Sequence, residues 1–517
     1  MVNKLHFLAM DYGASTGRGI VGSFDGSRVT LDEVHRFQNY FVDINGLDYW
    51  DVMRLYHELL GAVQTAVTSR GYRLQSVGVD TWGTDYGLLD RNGQLIGNCR
   101  CMRNSDGSVV DACSRKISLH ELFDRTGIQM IYGNTVFQLY ERLLRGDPAL
   151  EQADRLLMMP DMLAYFLTGK AFGEYTMAST SMLYSHKNGS WDLDIPQRLG
   201  LPTHIFPQIR MPAGERIPLR RTLLAELGQD QLEYIPVGTH DTASAVAAAP
   251  LEPDTAFCSS GTWSIFGAEC DAPVLSEDAY RSNFSNEGTI NGKVRLLKNI
   301  MGMWVMQRCN AEWERQGKHL TWDEIVAQAE LAPAFRSFID LEQPMFYQAG
   351  NMIDRVRGYC ENSGQPIPES VGELARCVYE SLAMRYRYTM EQLERVTGRR
   401  FKALHIVGGG CQNNLLNRFA ANALQRPVYA GPVESASIGN ILTQAMACGE
   451  IANQNEMRQV VRNSQQIVCF EPEAFDAWEG AYAKYCKVVD NNPKYSLQGT
   501  TQGRYLTGGV PPVRFSM

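Results

Sequence analysis

The sequence predicts an α/β protein assembled from two similarly built halves, and three observations carry the prediction. An apolar strand ends in a turn of Gly, Ser, Thr and Arg within residues 7–24, FLAMDYGASTGRGIVGSF. A second strand-and-glycine hairpin, Ala256-Phe257-Cys258 through Ser259-Ser260-Gly261-Thr262 into Trp263–Gly267, echoes that plan weakly about 250 residues later. Elsewhere short β-branched runs alternate with stretches whose apolar residues recur at helical spacing.

The first hairpin can cradle phosphate. Gly13 and Gly17 allow close approach of backbone N–H groups, Ser15 and Thr16 add hydroxyls, Arg18 adds a fixed positive fork, and Asp11 supplies an acidic group for a metal. Gly13-Ala14-Ser15-Thr16-Gly17 also spells the G-x-S-x-G of a serine-hydrolase elbow. An elbow serine requires a helix immediately after it, whereas Gly19–Phe24 is β-branched, contains glycine and runs into Asp25-Gly26, so it reads as a return strand. A tight glycine hairpin without a ligand remains the plain alternative.

Further along, Val52, Leu55, Leu59, Leu60, Val63 and Val67 mark a helix. Residues 76–80 and 86–90 read as strands, and Asn92-Gly93 turns the chain into Leu95-Ile96. An alanine run breaking at Pro250 and Pro253 places a domain division, giving a first domain over 1–247, a second over 248–490 and a tail over 491–517. Val371, Leu374, Val378, Leu382 and Tyr386 form a helical stripe, and Phe475, Trp478, Tyr482 and Tyr485 form another, read as core-facing. The tail, rich in Gly, Thr, Gln and Pro, receives no role.

Two segments of the second half have local chemistry. Leu404–Val407 runs into Gly408-Gly409-Gly410 and then a helix through Leu415, Leu416 and Phe419, which suits either an anion at a helix N-terminus or a tight connection. The dinucleotide fingerprint fails at Asn413, and no Gly-Lys-Ser/Thr makes a P-loop. Ala430–Asn440 opens a helix of small residues that suits a flat ligand or close helix packing.

Composition removes other classes. The chain has 517 residues, 44% hydrophobic and 21% charged, with a net charge of -8, which gives no electrostatic case for nucleic acid or an anionic membrane. No apolar run approaches the roughly 18 residues of a membrane span and no leader precedes the first strand, so a cytoplasmic protein is expected. Twelve cysteines form no CxxC pair and nine histidines show no ligand spacing, which leaves oxygen ligands and points to magnesium.

Three acids sit at the ends of apolar runs: Asp11, Asp80 after Val77-Gly78-Val79, and Asp241 after Ile235-Pro236-Val237-Gly238. Singly, Asp80 reads as a turn acid and Asp241 as a helix N-cap. Together with two glycine-rich loops they favour phosphoryl transfer, which needs a metal, a phosphate cradle and a group to receive a hydroxyl proton.

These segments resemble the FGGY family of carbohydrate kinases along nearly the whole chain. The likeness rests on Asp11–Arg18, Val79–Asp85, Gly238–Ser244, Ser260–Trp263, Leu297–Gly302, Val407–Asn413 and Ala430–Glu434, in that order. It implies a two-domain actin/hexokinase-type (ribonuclease H-like) fold that closes an interdomain cleft on sugar and ATP. It further implies that Asp241 is the general base, with Gly83, His240, Thr242 and Asn299 at the sugar. Ala14, Ser15, Thr16, Gly17, Arg18, Thr262, Gln307 and Gly409 match positions around the nucleotide, and Asp11 would organise Mg2+. Within the family the likeness is greatest to kinases of the C1 hydroxyl of L-rhamnulose, with other ketoses such as L-fuculose and xylulose as alternatives, and a silent actin-like ATP-binding protein as a third. The chain departs from the family's commoner choices at Tyr12, Thr16 and Arg103-Asn104, and the likeness does not account for the tail.

Overall fold

The computed structural model describes residues 4–347 and 350–490, so the tail lies outside the described residues. The chain divides into two compact units: Met1–Pro250 with Glu269–Leu296 and Glu434–Gln465, and Leu251–Ala268 with Leu297–Val433 and Gln466–Met517. The first unit ends its main segment three residues past the division read from the alanine run, but it also takes back two segments of the second half. A break in composition marks where the chain changes direction; it carries no information about later segments that return.

The first unit is built on a mixed six-stranded sheet. Its strands are β1 (Leu5–Tyr12), β2 (Thr16–Phe24), β3 (Val29–Gln38), β4 (Leu74–Thr81), β5 (Ile217–Pro218) and β6 (Glu233–Tyr234), in the order β5-β6-β4-β1-β2-β3. β1 and β2 form the antiparallel hairpin read from Phe7–Phe24, with Asp11 opposite Arg18. β1 and β4 are parallel, which requires a crossover, and helix α1 (Val52–Gln64) supplies it, capped by the Asp51 side chain on the Arg54 N–H. Register on this pair sets Asp11 opposite Asp80.

Two more helices complete the part of this unit that matters for function: α2 (Asp241–Ala248) and α3 (Ser435–Ala447). α3 presents Ile438, Ile441, Leu442 and Ala445 to Phe7, Ala9, Ile20 and Phe24 in one buried cluster. Its small residues serve packing. A Cβ on Gly439 would stand 1.9 Å from the Ser244 carbonyl oxygen of α2, and one on Gly22 would stand 2.4 Å from Ile441 Cγ2.

A second, seven-stranded sheet contains β7 (Thr255–Ser260), β8 (Trp263–Cys270), β9 (Val294–Met301), β10 (Ala403–Val407), β11 (Val428–Ala430) and β12 (Val468–Phe470) in the order β9-β8-β7-β10-β11-β12, with the short strand Ser285–Gly288 outside β9; the ends of β8 and β9 within Glu269–Leu296, Arg295 among them, and Ser285–Gly288 fall in the first unit and the rest in the second. β7 and β8 are the antiparallel echo of the first hairpin, and β7 and β10 run parallel. Of the C-terminal aromatic stripe, Trp478, Tyr482 and Tyr485 are buried, whereas Phe475 at the helix start is exposed. No helix among the described residues is long and apolar enough to cross a membrane.

Candidate active site

At the carboxyl ends of β1 and β4, where open α/β sheets gather their reactive groups, two aspartates share a buried position. Asp80 is fully buried; its Oδ2 accepts a hydrogen bond from Asn440 Nδ2 at 2.6 Å, while its Oδ1 has no hydrogen-bond partner among the described residues. Asp11 accepts from Ser437 Oγ at 3.2 Å. Burial pushes the Asp80 carboxyl well above the carboxylate range, and the charge of Asp11 beside it adds to the rise. Burial raises Asp11 too; the Arg18 guanidinium opposes it and the carboxylates of Asp241 and Glu434 reinforce it.

Asp241 joins them by way of the loop that follows the sheet. Thr81 N–H donates to Thr239 O at 2.9 Å, tying the end of β4 to the segment that opens α2. His240 is the N-cap residue and Asp241 the first residue of the helix, so the capping position expected for Asp241 belongs to its neighbour. The Asp241 side chain keeps 31% exposure, far more than Asp11 or Asp80, and accepts a hydrogen bond from the Thr242 hydroxyl at 3.0 Å. It is the most exposed of the three acids.

His240 and Gly83 lie against one another: a Cβ on Gly83 would stand 3.4 Å from His240 Nε2 and 3.6 Å from Thr180 Oγ1. The residue after Gly83, Thr84, holds φ at +72°, a left-handed conformation that a β-branched residue adopts only under constraint. Its carbonyl accepts from Thr135 Oγ1 at 2.7 Å and Gln138 Nε2 at 3.1 Å. Beside it the buried Asp85 accepts from both Trp82 Nε1, at 2.8 Å, and Trp50 Nε1, at 2.6 Å. Burial raises the Asp85 carboxyl to about 6, against these hydrogen bonds to its charged form.

The β1–β2 turn is closed by its own hydrogen bonds and exposed at its tip. Gly13 N–H donates to Thr16 O at 3.0 Å and Asn39 Nδ2 donates to Gly13 O at 2.8 Å, leaving Ala14, Ser15 and Thr16 exposed. Gly17 is buried under the Phe37 ring, which a Cβ there would meet at 2.1 Å, so only glycine fits. Arg18 is half-buried and paired with Glu434. Ser15 is followed by a strand, not a helix, as the sequence indicated.

The second unit holds the remaining candidates. Thr262 Oγ1 donates to Gln307 Oε1 at 3.4 Å, and Trp304 N–H, in the turn before Gln307, donates to Thr262 O at 3.2 Å, so these two belong to one local feature. Gly408 takes φ +81°, and a Cβ on Gly410 would collide with Ser260 Oγ at 2.1 Å, whereas Gly409 between them faces open space. Asn299 lies on β9.

Several members of the first unit's site were not singled out from sequence: Ser437, Asn440 and Gln444 of α3, and Glu287 and Arg295. The α3 set had a signal, polar residues at i, i+3 and i+7 in a helix otherwise of small and apolar residues. Gln444 extends the chain, accepting from Ser76 Oγ at 2.7 Å and donating to Asn440 Oδ1 at 2.7 Å.

The models of the FGGY carbohydrate kinase family match 6–247 for its N-terminal domain and 256–448 for its C-terminal domain. The chain belongs to the FGGY family of carbohydrate kinases. It is therefore an enzyme that phosphorylates a sugar, with ATP as donor. Similar proteins include the rhamnulokinases of Bacteroides thetaiotaomicron, 39% identical over 94% of this chain and 100% of that one, and of Bacillus subtilis, 35% identical over 91% and 96%. Among solved structures, gluconate kinase from Lactobacillus acidophilus matches with a TM-score of 0.77 at 16% identity, covering 94% of this chain and 98% of that one. Plasmodium falciparum glycerol kinase with ADP matches with a TM-score of 0.74 at 14% identity, covering 94% and 98%. These likenesses show the two-domain actin/hexokinase-type fold.

The acids also meet the requirements of magnesium. Among the described residues no group of three or more His, Cys, Asp or Glu side chains is arranged to hold a metal ion. Magnesium at phosphoryl-transfer sites keeps several waters and takes only one or two carboxylates plus the phosphates, so no protein cage is needed. Hard oxygen donors at Asp11, with the unpartnered Asp80 Oδ1 beside it, suit that ion.

Proposed function

We propose that this enzyme transfers the γ-phosphate of ATP to the C1 hydroxyl of L-rhamnulose, giving L-rhamnulose 1-phosphate and ADP. The reading of the sugar is supported by the rhamnulokinases that match at 35–39% identity over nine-tenths or more of this chain. The chemistry rests on one observation above the others: Asp241 alone of three neighbouring acids is open to a substrate, at the first turn of α2 and beside His240 and Gly83.

Asp241 is the proton acceptor. A carboxylate is a far weaker base than an alkoxide and cannot ionise an alcohol in advance, so it receives the proton as the C1 oxygen bonds to phosphorus and the bond to the ADP oxygen breaks. His240, Thr242, Gly83 and Asn299 are the residues read as sugar contacts. The exposed residues Ala14, Ser15 and Thr16, with Gly17 and Arg18, serve the nucleotide phosphates, and Thr262, Gln307 and Gly409 are the further residues read as nucleotide contacts. Asp11 would hold Mg2+, whose charge, when it is bound, offsets that of the phosphates. A cytoplasmic location fits the demand for ATP.

The deciding test is ADP release measured across L-rhamnulose, L-fuculose, L-xylulose, D-xylulose and glycerol. The highest kcat/KM is expected for L-rhamnulose. A clear preference for another ketose replaces the sugar, and turnover with none of the five overturns the reading.

A further inference from the structure

We propose that Arg295 and Glu287 are positioning residues that grip His240 by its Nδ1 and leave Nε2 as the only ring nitrogen offered to the sugar, an inference that rests on the reading of His240 as a sugar contact.

Arg295 is fully buried. Its Nε donates to Gly288 O at 2.9 Å, and its Nη2 lies 3.3 Å from both Glu287 Oε2 and His240 Nδ1. Glu287 Oε2 stands 3.1 Å from the same Nδ1, and its Oε1 accepts from Ser285 Oγ at 3.2 Å. Guanidinium can only donate and carboxylate can only accept, so Nδ1 is committed to this pair whichever proton it carries. The opposite ring edge is the free one: Nε2 faces the Gly83 backbone and lies 3.6 Å from Asp241 Oδ1. Burial pushes the Glu287 carboxyl up, and the hydrogen bond and charge of His240, with the charge of Arg295, more than offset it, holding it ionised.

A buried ion pair is a poor way to fill space, since apolar residues of similar volume usually stabilise as well or better. Arg295 Nη1 moreover has no hydrogen-bond partner among the described residues, so this arginine is not fully satisfied by the fold. What the pair does supply is a fixed orientation for an imidazole that would otherwise flip between two ring poses.

The test removes both charges together, in Glu287→Gln/Arg295→Met, so that no lone buried charge is left to unfold the protein. Expected are a melting temperature within a few degrees of the parent, a KM for sugar raised about tenfold or more, and a KM for ATP within about twofold. With 15N-labelled histidine, and His240→Asn to assign the signal, the ring nitrogen shifts of His240 should differ between the parent, whose Nδ1 is held by the pair, and the double variant, whose Nδ1 is released. Should the double variant fail to fold, Glu287→Leu/Arg295→Leu, equally free of a lone buried charge, is read the same way. An unchanged sugar KM together with unchanged His240 shifts in a folded variant overturns the proposal. If the parent phosphorylates none of the five sugars, the proposed function fails, while the nitrogen shifts still decide whether the pair grips the ring.

Discussion

Asp241 and Asp85 show how the same side chain takes different roles from its surroundings. Asp241 keeps nearly a third of its side chain exposed at the start of a helix, where a substrate hydroxyl can reach it. General-base help is typically worth about 10²–10⁴-fold, so Asp241→Asn should lose that much kcat, while ATP affinity measured by titration calorimetry stays within about twofold. A variant that keeps near-normal turnover removes the assignment. Asp85 is instead held between two indole N–H groups with its carboxyl raised to about 6. Because the folded form holds its proton to higher pH than the unfolded chain does, with an ordinary value of about 3.9, its contribution favours folding below pH 4 and is lost as pH rises through 6, by about 2–3 kcal/mol. Asp85→Asn abolishes this titration. The melting temperature of Asp85→Asn relative to the parent should therefore climb between pH 4.5 and pH 7; a constant difference would show that Asp85 does not titrate in that window.

Elements that depend on local pattern were legible in the sequence, and those that depend on distant partners were not. The β1–β2 hairpin announced itself through glycines and β-branched residues, and α1 through its apolar spacing, because both signals lie within a few residues of where they act. The three aspartates could be found at the ends of apolar runs, but the Asp11–Asp80 pairing is a matter of strand register, which no local pattern encodes. α3 was the ambiguous element: small residues at its start fitted a ligand as well as a helix crossing, and only the Gly439 backbone against Ser244 O decides for the crossing. Gly439→Ala tests it with a reversed sign. Alanine in a helix normally gains up to about 1 kcal/mol over glycine, whereas a Cβ driven onto a backbone oxygen at 1.9 Å should cost about 3 kcal/mol or more. A lowered midpoint of thermal unfolding is expected, and a raised one would mean that α2 and α3 separate readily.

On the scale of the whole chain, the consequence lies in the segments that the second half returns to the first unit. Family models divide the sequence near residue 247, and so does the alanine run, but Glu269–Leu296 and Glu434–Gln465 belong to the first compact unit. The returned helix α3 supplies Ser437 to Asp11, Asn440 to Asp80 and Gln444 to Ser76, and it covers Phe7, Ala9, Ile20 and Phe24. A fragment of residues 1–247 would therefore leave a buried carboxyl without its donor and one apolar face of the sheet without its cover. Exposed apolar surface and unpaired buried polar groups each cost more than a marginally stable unit can absorb. Such a fragment should bind a hydrophobic dye, lack near-UV circular dichroism and unfold in urea without a cooperative transition. A sharp, cooperative urea transition with native near-UV signal would show that residues 1–247 fold without α3, and would demote the polar contacts along that helix from a requirement of the fold to a means of orienting the Asp11 and Asp80 side chains.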